Sequence, residues 1–101
     1  MFILNLTFLV TEPLIPSWNE WVRTLFIPSI TGTGIFHTPQ LTKVHSENQE
    51  DGISFALQFH TASAENIQDW LTSYGNELQK VCTGRFGGNV LFFATTLEVL
   101  A

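Results

Sequence analysis

Charge is scarce in this chain. Only 13% of its 101 residues are charged, and just four of these are basic: Arg23, Lys43, Lys80 and Arg85. They are scattered and outnumbered by nine acidic residues, which gives a formal net charge of −5. Proteins that hold nucleic acid neutralise phosphates with clustered cations, and anionic membrane surfaces ask for the same. Neither partner is expected. Cysteine is almost absent as well. The lone Cys82 cannot close an internal disulfide, and the N-terminal segment lacks the basic start of an export signal, so the cytoplasm is the expected compartment. Long apolar runs are missing too: "MFILNLTFLVTEPLIP" is broken by Asn5 and Thr7 and falls short of the ~20 residues that cross a bilayer.

What is present is apolar bulk. Hydrophobic residues make up 45% of the chain, with nine phenylalanines and three tryptophans. That composition is the opposite of disorder. The length suits one domain spanning 1–101, with a single two-layer core. So little charge cannot cover so much apolar surface, so a homodimer is expected.

The apolar period changes along the chain. In "FILNLTFLVT" (2–11) Phe2, Leu4, Leu6, Phe8 and Val10 fall on one face of a strand, with Ile3, Asn5, Thr7, Leu9 and Thr11 on the other. Leu14, Trp18, Trp21 and Leu25 then recur at helical spacing, which predicts a helix over about 14–26. Ser17 and Glu20 fit a capping box at its start, and Pro28 is expected to stop it. Residues 35–45 read as a second strand, placed at an edge by Pro39. "SENQEDG" connects it, through Asp51-Gly52, to a strand over 53–61 whose Ser54, Ala56, Gln58 and His60 share a face. From about Ser63 the helical period returns, with Ile67, Trp70, Leu71, Tyr74, Leu78 and Val81 on one stripe and Gly75 as a point of bending. A last strand follows over 89–99. The order is βαββαβ, which predicts an α+β, ferredoxin-like fold: two helices on one face of a four-stranded antiparallel sheet.

The glycine loop "TGRFGGN" (83–89) has the wrong polarity for a phosphate cradle. A helix enters it and a strand leaves, so the helix end at the loop presents carbonyls rather than free N–H groups. Gly84 is read as the helix C-cap, Gly87-Gly88 as a tight turn, and Phe86 as a core residue. No metal site is expected. His37 and His45 lie about 26 Å apart along one strand, and pairing His45 with Ile53 would put His60 opposite Thr38 and leave His37 on the other face, a conclusion that a one-residue register slip reverses. Cys82 reads as a small buried side chain without an activating cation. Trp18, Trp21 and Trp70 read as core.

The polar residues of the sheet face away from the helices stand out. Asn5, Thr7, Gln58 and His60 project from two strands that this topology makes neighbours, and Thr96 and Glu98 are candidates to join them if the last strand turns that way. Polar residues alternating on an antiparallel sheet also suit a solvated or dimer-covered face.

"NLT" (5–7), "WNEWV" (18–22), "IP" (27–28), "TGIF" (33–36), "EDGISFALQF" (50–59), "RFGG" (85–88) and "TTLEV" (95–99) run in order through the chain. In these segments it resembles a family of bacterial proteins of about a hundred residues, classed as a domain of unknown function. The resemblance implies a dimeric α+β barrel, in which two sheets pack face to face across a two-fold axis, and it implies no activity. Asn5, Thr7 and Gln58 are positions of the family pattern, whereas Phe26 and Ala94 stand where relatives often carry histidine and arginine.

Two functions are compatible with these features. The first is a small homodimer that holds a small molecule between its sheets, lined by Asn5, Thr7, Gln58 and His60. The second is an enzyme without a tightly bound cofactor, akin to the monooxygenases and isomerases of dimeric α+β barrels, with His60 as general base and Asn5 and Gln58 orienting a carbonyl or enolate. The enzyme reading predicts an enclosed cavity of roughly 300 Å³ or more that reaches His60.

Overall fold

Alternation in β1 (Phe2–Val10) sends Leu4, Leu6, Phe8 and Val10 to one side, and in the computed structural model, which describes residues 1–45 and 52–101, all four are fully buried. Strands β2 (His37–Lys43), β3 (Ile53–Thr61) and β4 (Val90–Glu98) complete an antiparallel sheet in the order β2-β3-β1-β4. The two chain-central strands of the βαββαβ order form a hairpin at one side, and β1 lies in the middle between β3 and β4. Helical segments cover one face, and Trp18, Val22, Ile67 and Cys82 pack with the inward strand residues into one core cluster. The Asp51-Gly52 turn expected from the sequence falls on residues 46–51, outside the described residues, apart from Gly52.

The first helical limb departs from expectation. It begins after a short turn, Glu12–Leu14, and runs as α1 (Ile15–Trp21), a widened π-helical turn (Val22–Phe26) and α2 (Ile27–Thr31). Ser17 lies inside α1 and does not cap it; Leu14 holds the capping position without a side-chain bond. Pro28 does not stop the limb either. It sits in the first turn of α2, where a missing N–H costs least, because the π-turn restarts the hydrogen-bond ladder just before it. The extra residue in that turn also rotates the apolar stripe. Leu25, expected inside, is 51% exposed, and Phe26 takes the buried place.

Helix α3 (Ala64–Phe86) starts at Ser63, whose hydroxyl accepts a hydrogen bond from the Asn66 N–H at 3.3 Å. Its buried stripe is Ile67, Trp70, Leu78, Cys82 and Phe86, whereas Tyr74 and Val81 are exposed. The helix runs through Gly84 and ends three residues later than expected, at Gly87, whose positive φ of 64° is a backbone conformation that glycine adopts without strain. Gly75 and Gly84 are therefore helix-interior glycines, and a Cβ added at either meets nothing within 4 Å. Gly75→Ala and Gly84→Ala are each expected to stabilise the protein by about 0.5–1 kcal/mol in urea unfolding. If Gly84 were the cap, alanine there would destabilise instead.

The closed end of the sheet is pinned by one buried hydroxyl. Thr61 Oγ1 donates to the Ile35 carbonyl and accepts from Asn66 Nδ2, both at 2.9 Å, which ties β3 to the segment before β2 and to the first turn of α3.

Candidate functional site

The open face of the sheet carries a short polar chain inside an apolar frame. Asn5 pairs with Gln58 across β1 and β3. Gln58 Nε2 donates to Asn5 Oδ1 at 3.2 Å, and Asn5 Nδ2 donates to Thr7 Oγ1 at 3.1 Å. Within that chain the Thr7 hydroxyl proton, the second N–H of each amide and the Gln58 carbonyl oxygen stay uncommitted, so both donors and acceptors remain for a ligand. All three side chains are half-buried. His60 lies two residues along β3 on the same face, paired with Ile3.

The fourth strand contributes differently from the expectation. Thr96 and Glu98 pair with Leu4 and Phe2 and so point to the helix side. Their places are taken by Thr95, which pairs with Asn5, and by Leu91, Phe93 and Leu97, which pair with Leu9, Thr7 and Ile3. The strand is apolar on both faces, so its alternation alone could not show which way it turned. Leu91, Phe93 and Leu97 are 56%, 61% and 37% exposed on the isolated chain. They form the apolar frame.

Strand β2 brings the second correction. The register from Gln40 to Lys43 matches the hairpin expected, with Gln40 opposite Gln58 and Lys43 opposite Phe55. Between His37 and Gln40 it shifts by one residue, and Thr38, in the left-handed region at φ 54°, forms the irregularity next to Pro39. His37 therefore pairs with His60 rather than lying on the other face, and the two imidazole centroids are 6.0 Å apart. His37 Nδ1 lies 2.9 Å from Thr38 Oγ1. A β-branched residue is costly at positive φ, by about 1–3 kcal/mol. Thr38→Gly is expected to recover about 1 kcal/mol of that in denaturant unfolding.

Elsewhere the polar inventory is quieter. Among the described residues no group of three or more His, Cys, Asp and Glu side chains could hold a metal ion. Cys82 is fully buried, and desolvation pushes its thiol up from 9.0 to about 11. Because the folded-state value is the higher one, stability is unaffected well below pH 9 and falls as the pH rises from about 9 toward 11, where the unfolded thiol ionises and the folded one does not. Thiol labelling at pH 8 is accordingly expected to require opening of the fold and to be far slower than that of a free thiol.

A cavity of the single chain lies on the other layer. It measures about 330 Å³, sits between the helical limb and α3 over Trp21, Phe26, Ile30, Trp70 and Leu78, and does not reach His60. Phe26 is a core residue on its floor, 5.0 Å from Trp21 and 6.1 Å from Phe8 by ring centroids. Sequence reasoning missed this cleft because the π-turn that brings Leu25 and Phe26 to it has no signature in the apolar spacing.

Helices on one face of a four-stranded antiparallel sheet, in the order βαββαβ and with the other face open, define a ferredoxin-like α+β fold. Residues 1–100 match DUF4286, a domain of unknown function, and the chain belongs to that family. No curated protein matches the sequence. Several solved structures share the fold. A dimeric ferredoxin-like protein from an uncultured marine organism superposes with a TM-score of 0.63 at 14% identity, over 100% of this chain and 96% of that one. An ethyl tert-butyl ether d (ethd) family protein from Bacillus halodurans C-125 gives 0.68 at 14% identity over 99% of this chain and 100% of that one. An Arg-to-Ser variant of MhuD, with two manganese protoporphyrin IX molecules bound per active site, gives 0.68 at 15% identity over 100% and 96%. At these identities the likeness establishes the fold. No helix among the described residues is long and apolar enough to cross a membrane.

Proposed function

We propose that the chain works as one domain and as a homodimer whose open sheet faces pack together, and that the strip of Asn5, Thr7, Gln58 and His60 contacts a small molecule held between them. One observation carries the reading: a half-buried hydrogen-bonded chain, Gln58 to Asn5 to Thr7, framed by the exposed Leu91, Phe93 and Leu97. Four strands of this length make a platform of about 20 by 30 Å, which reaches the lower end of a standard-size interface. Dimeric ferredoxin-like proteins among the solved structures of this fold support the assembly. The ligand is a compact molecule of mixed polarity, with an apolar body for the frame and a carbonyl or hydroxyl group for the strip. The unpaired Cys82 thiol favours a reducing compartment, the cytoplasm.

A second reading makes the same face an enzyme with His60 as general base. It draws on MhuD, which carries an active site on this fold, and on His37 beside His60, a second imidazole able to relay a proton.

Native mass spectrometry of protein purified gently from its own host tests the ligand directly. The expected result is a dimer carrying a releasable extra mass, lost in Gln58→Leu and His60→Ala variants that stay dimeric. A bare wild-type dimer would leave the face as an assembly surface and remove the ligand from it.

A further inference from the structure

We propose that the cleft between the helical limb and α3 is a second binding site, for a one- or two-ring aromatic molecule bearing a protonated amine. It lies on the layer opposite the open sheet face and does not depend on dimerisation. Its volume of about 330 Å³ falls at the small end of ligand pockets. Its floor is aromatic: Trp21 and Phe26 stack with centroids 5.0 Å apart at 16°, and Trp70 meets Phe26 edge-on at 6.5 Å. Such a floor gives a flat apolar body and a cation aromatic rings to pack against.

The polarity of the rim sets the ligand's charge. Ser29 Oγ donates its proton to the Phe26 carbonyl at 2.7 Å, and Thr33 Oγ1 donates to the Ile30 carbonyl at 2.8 Å. Both hydroxyls line the cleft and have only lone pairs left to offer it. The one charged group on the lining is the Glu77 carboxylate, and none of the four basic side chains lines it. Glu77 has a loose contact with Lys80 at 3.8 Å, with both side chains largely exposed, so it is available to a ligand cation. The Tyr74 hydroxyl on the lining can donate or accept, so it is the lone carboxylate beside an aromatic floor that selects a positively charged group. The π-helical turn Val22–Phe26 is a second, independent pointer. It carries Leu25 and Phe26 to the cleft, and such turns recur where helices are opened for function.

The three tryptophans provide the readout, since Trp21 and Trp70 line the cleft and Trp18 does not. Nitrogen-15 correlation spectra would follow their indole N–H signals during titration with 2-phenylethylammonium and, separately, 3-phenylpropanoate, which pair a similar skeleton with opposite charge. The expected result is movement of the Trp21 and Trp70 signals with Trp18 still, and about tenfold tighter binding of the ammonium probe. Glu77→Gln is expected to reduce that preference to within about threefold, and Val81→Phe to block binding while the spectrum keeps its native dispersion. The proposal is overturned if neither probe moves Trp21 and Trp70 up to tens of millimolar, if the carboxylate binds as tightly as the amine, or if Glu77→Gln leaves the preference unchanged.

Discussion

Trp18→Ala is expected to remove about 3–5 kcal/mol of folding stability, the largest loss of any single truncation in this chain. Trp18 is fully buried, and its ring lies 4.8 Å from Phe55 on β3 and 5.3 Å from Phe8 on β1, so it joins the helical limb to two strands at once. Phe8 in turn contacts Phe26 and Phe92, which spreads the cavity's cost across the core. Domains of this size hold only about 5–15 kcal/mol in total, so the variant should sit near the edge of folding and melt roughly 15–30 °C lower. Trp18→Phe should be much milder, at about 1–2 kcal/mol. The indole N–H of Trp18 is buried without a hydrogen-bond partner among the described residues, and removing an orphaned donor recovers about 1–3 kcal/mol of desolvation. Urea unfolding followed by the fluorescence of Trp21 and Trp70 separates the two. A loss under 1 kcal/mol for the alanine variant would mean that Trp18 is not the joint of this core.

If the open sheet faces pack into the proposed homodimer, Phe93→Asp should dissociate it and leave the monomer folded. Phe93 is 61% exposed on the isolated chain and stands beside Thr7, next to the polar strip. A two-fold interface carries each substitution twice. Losing about 1.5–3 kcal/mol of apolar burial per copy, before the added cost of facing carboxylates, weakens association by about 10²–10⁴-fold. The effect on folding should stay within about 0.5 kcal/mol, because the side chain leaves the core untouched. Sedimentation and urea unfolding on the same preparation read the two quantities apart. Loss of fold together with loss of dimer would place Phe93 in the core rather than at the interface.

Much of the architecture was legible because strand alternation is unambiguous where one face is wholly apolar. Leu4, Leu6, Phe8 and Val10 fixed the inward face of β1, and Pro39 marked β2 as an edge strand, which it is. The convergence of Asn5 with Gln58 followed from the same periodicity and the expected neighbours. Where alternation failed, so did the reading. The last strand is apolar on both faces, so Thr96 and Glu98 were considered for the polar strip and Thr95 was overlooked. The shift at Thr38 brought His37 beside His60, and a single residue at positive φ leaves no trace in a hydrophobic pattern. The π-turn exposed Leu25, buried Phe26 and set both on the interhelical cleft, and one inserted residue in a turn looks like ordinary helical spacing. Gly84 looked like a cap because glycine in a final turn is common, whereas Gly87 is the one held at positive φ.

The most direct measurement is sedimentation velocity of the unmodified chain across a dilution series through the micromolar range. Packing of the open sheet faces predicts a species of twice the 11.4 kDa chain mass that persists on dilution and disappears in Phe93→Asp. An 11.4 kDa monomer at every concentration would contradict it, and would leave Leu91, Phe93 and Leu97 facing solvent or a different protein.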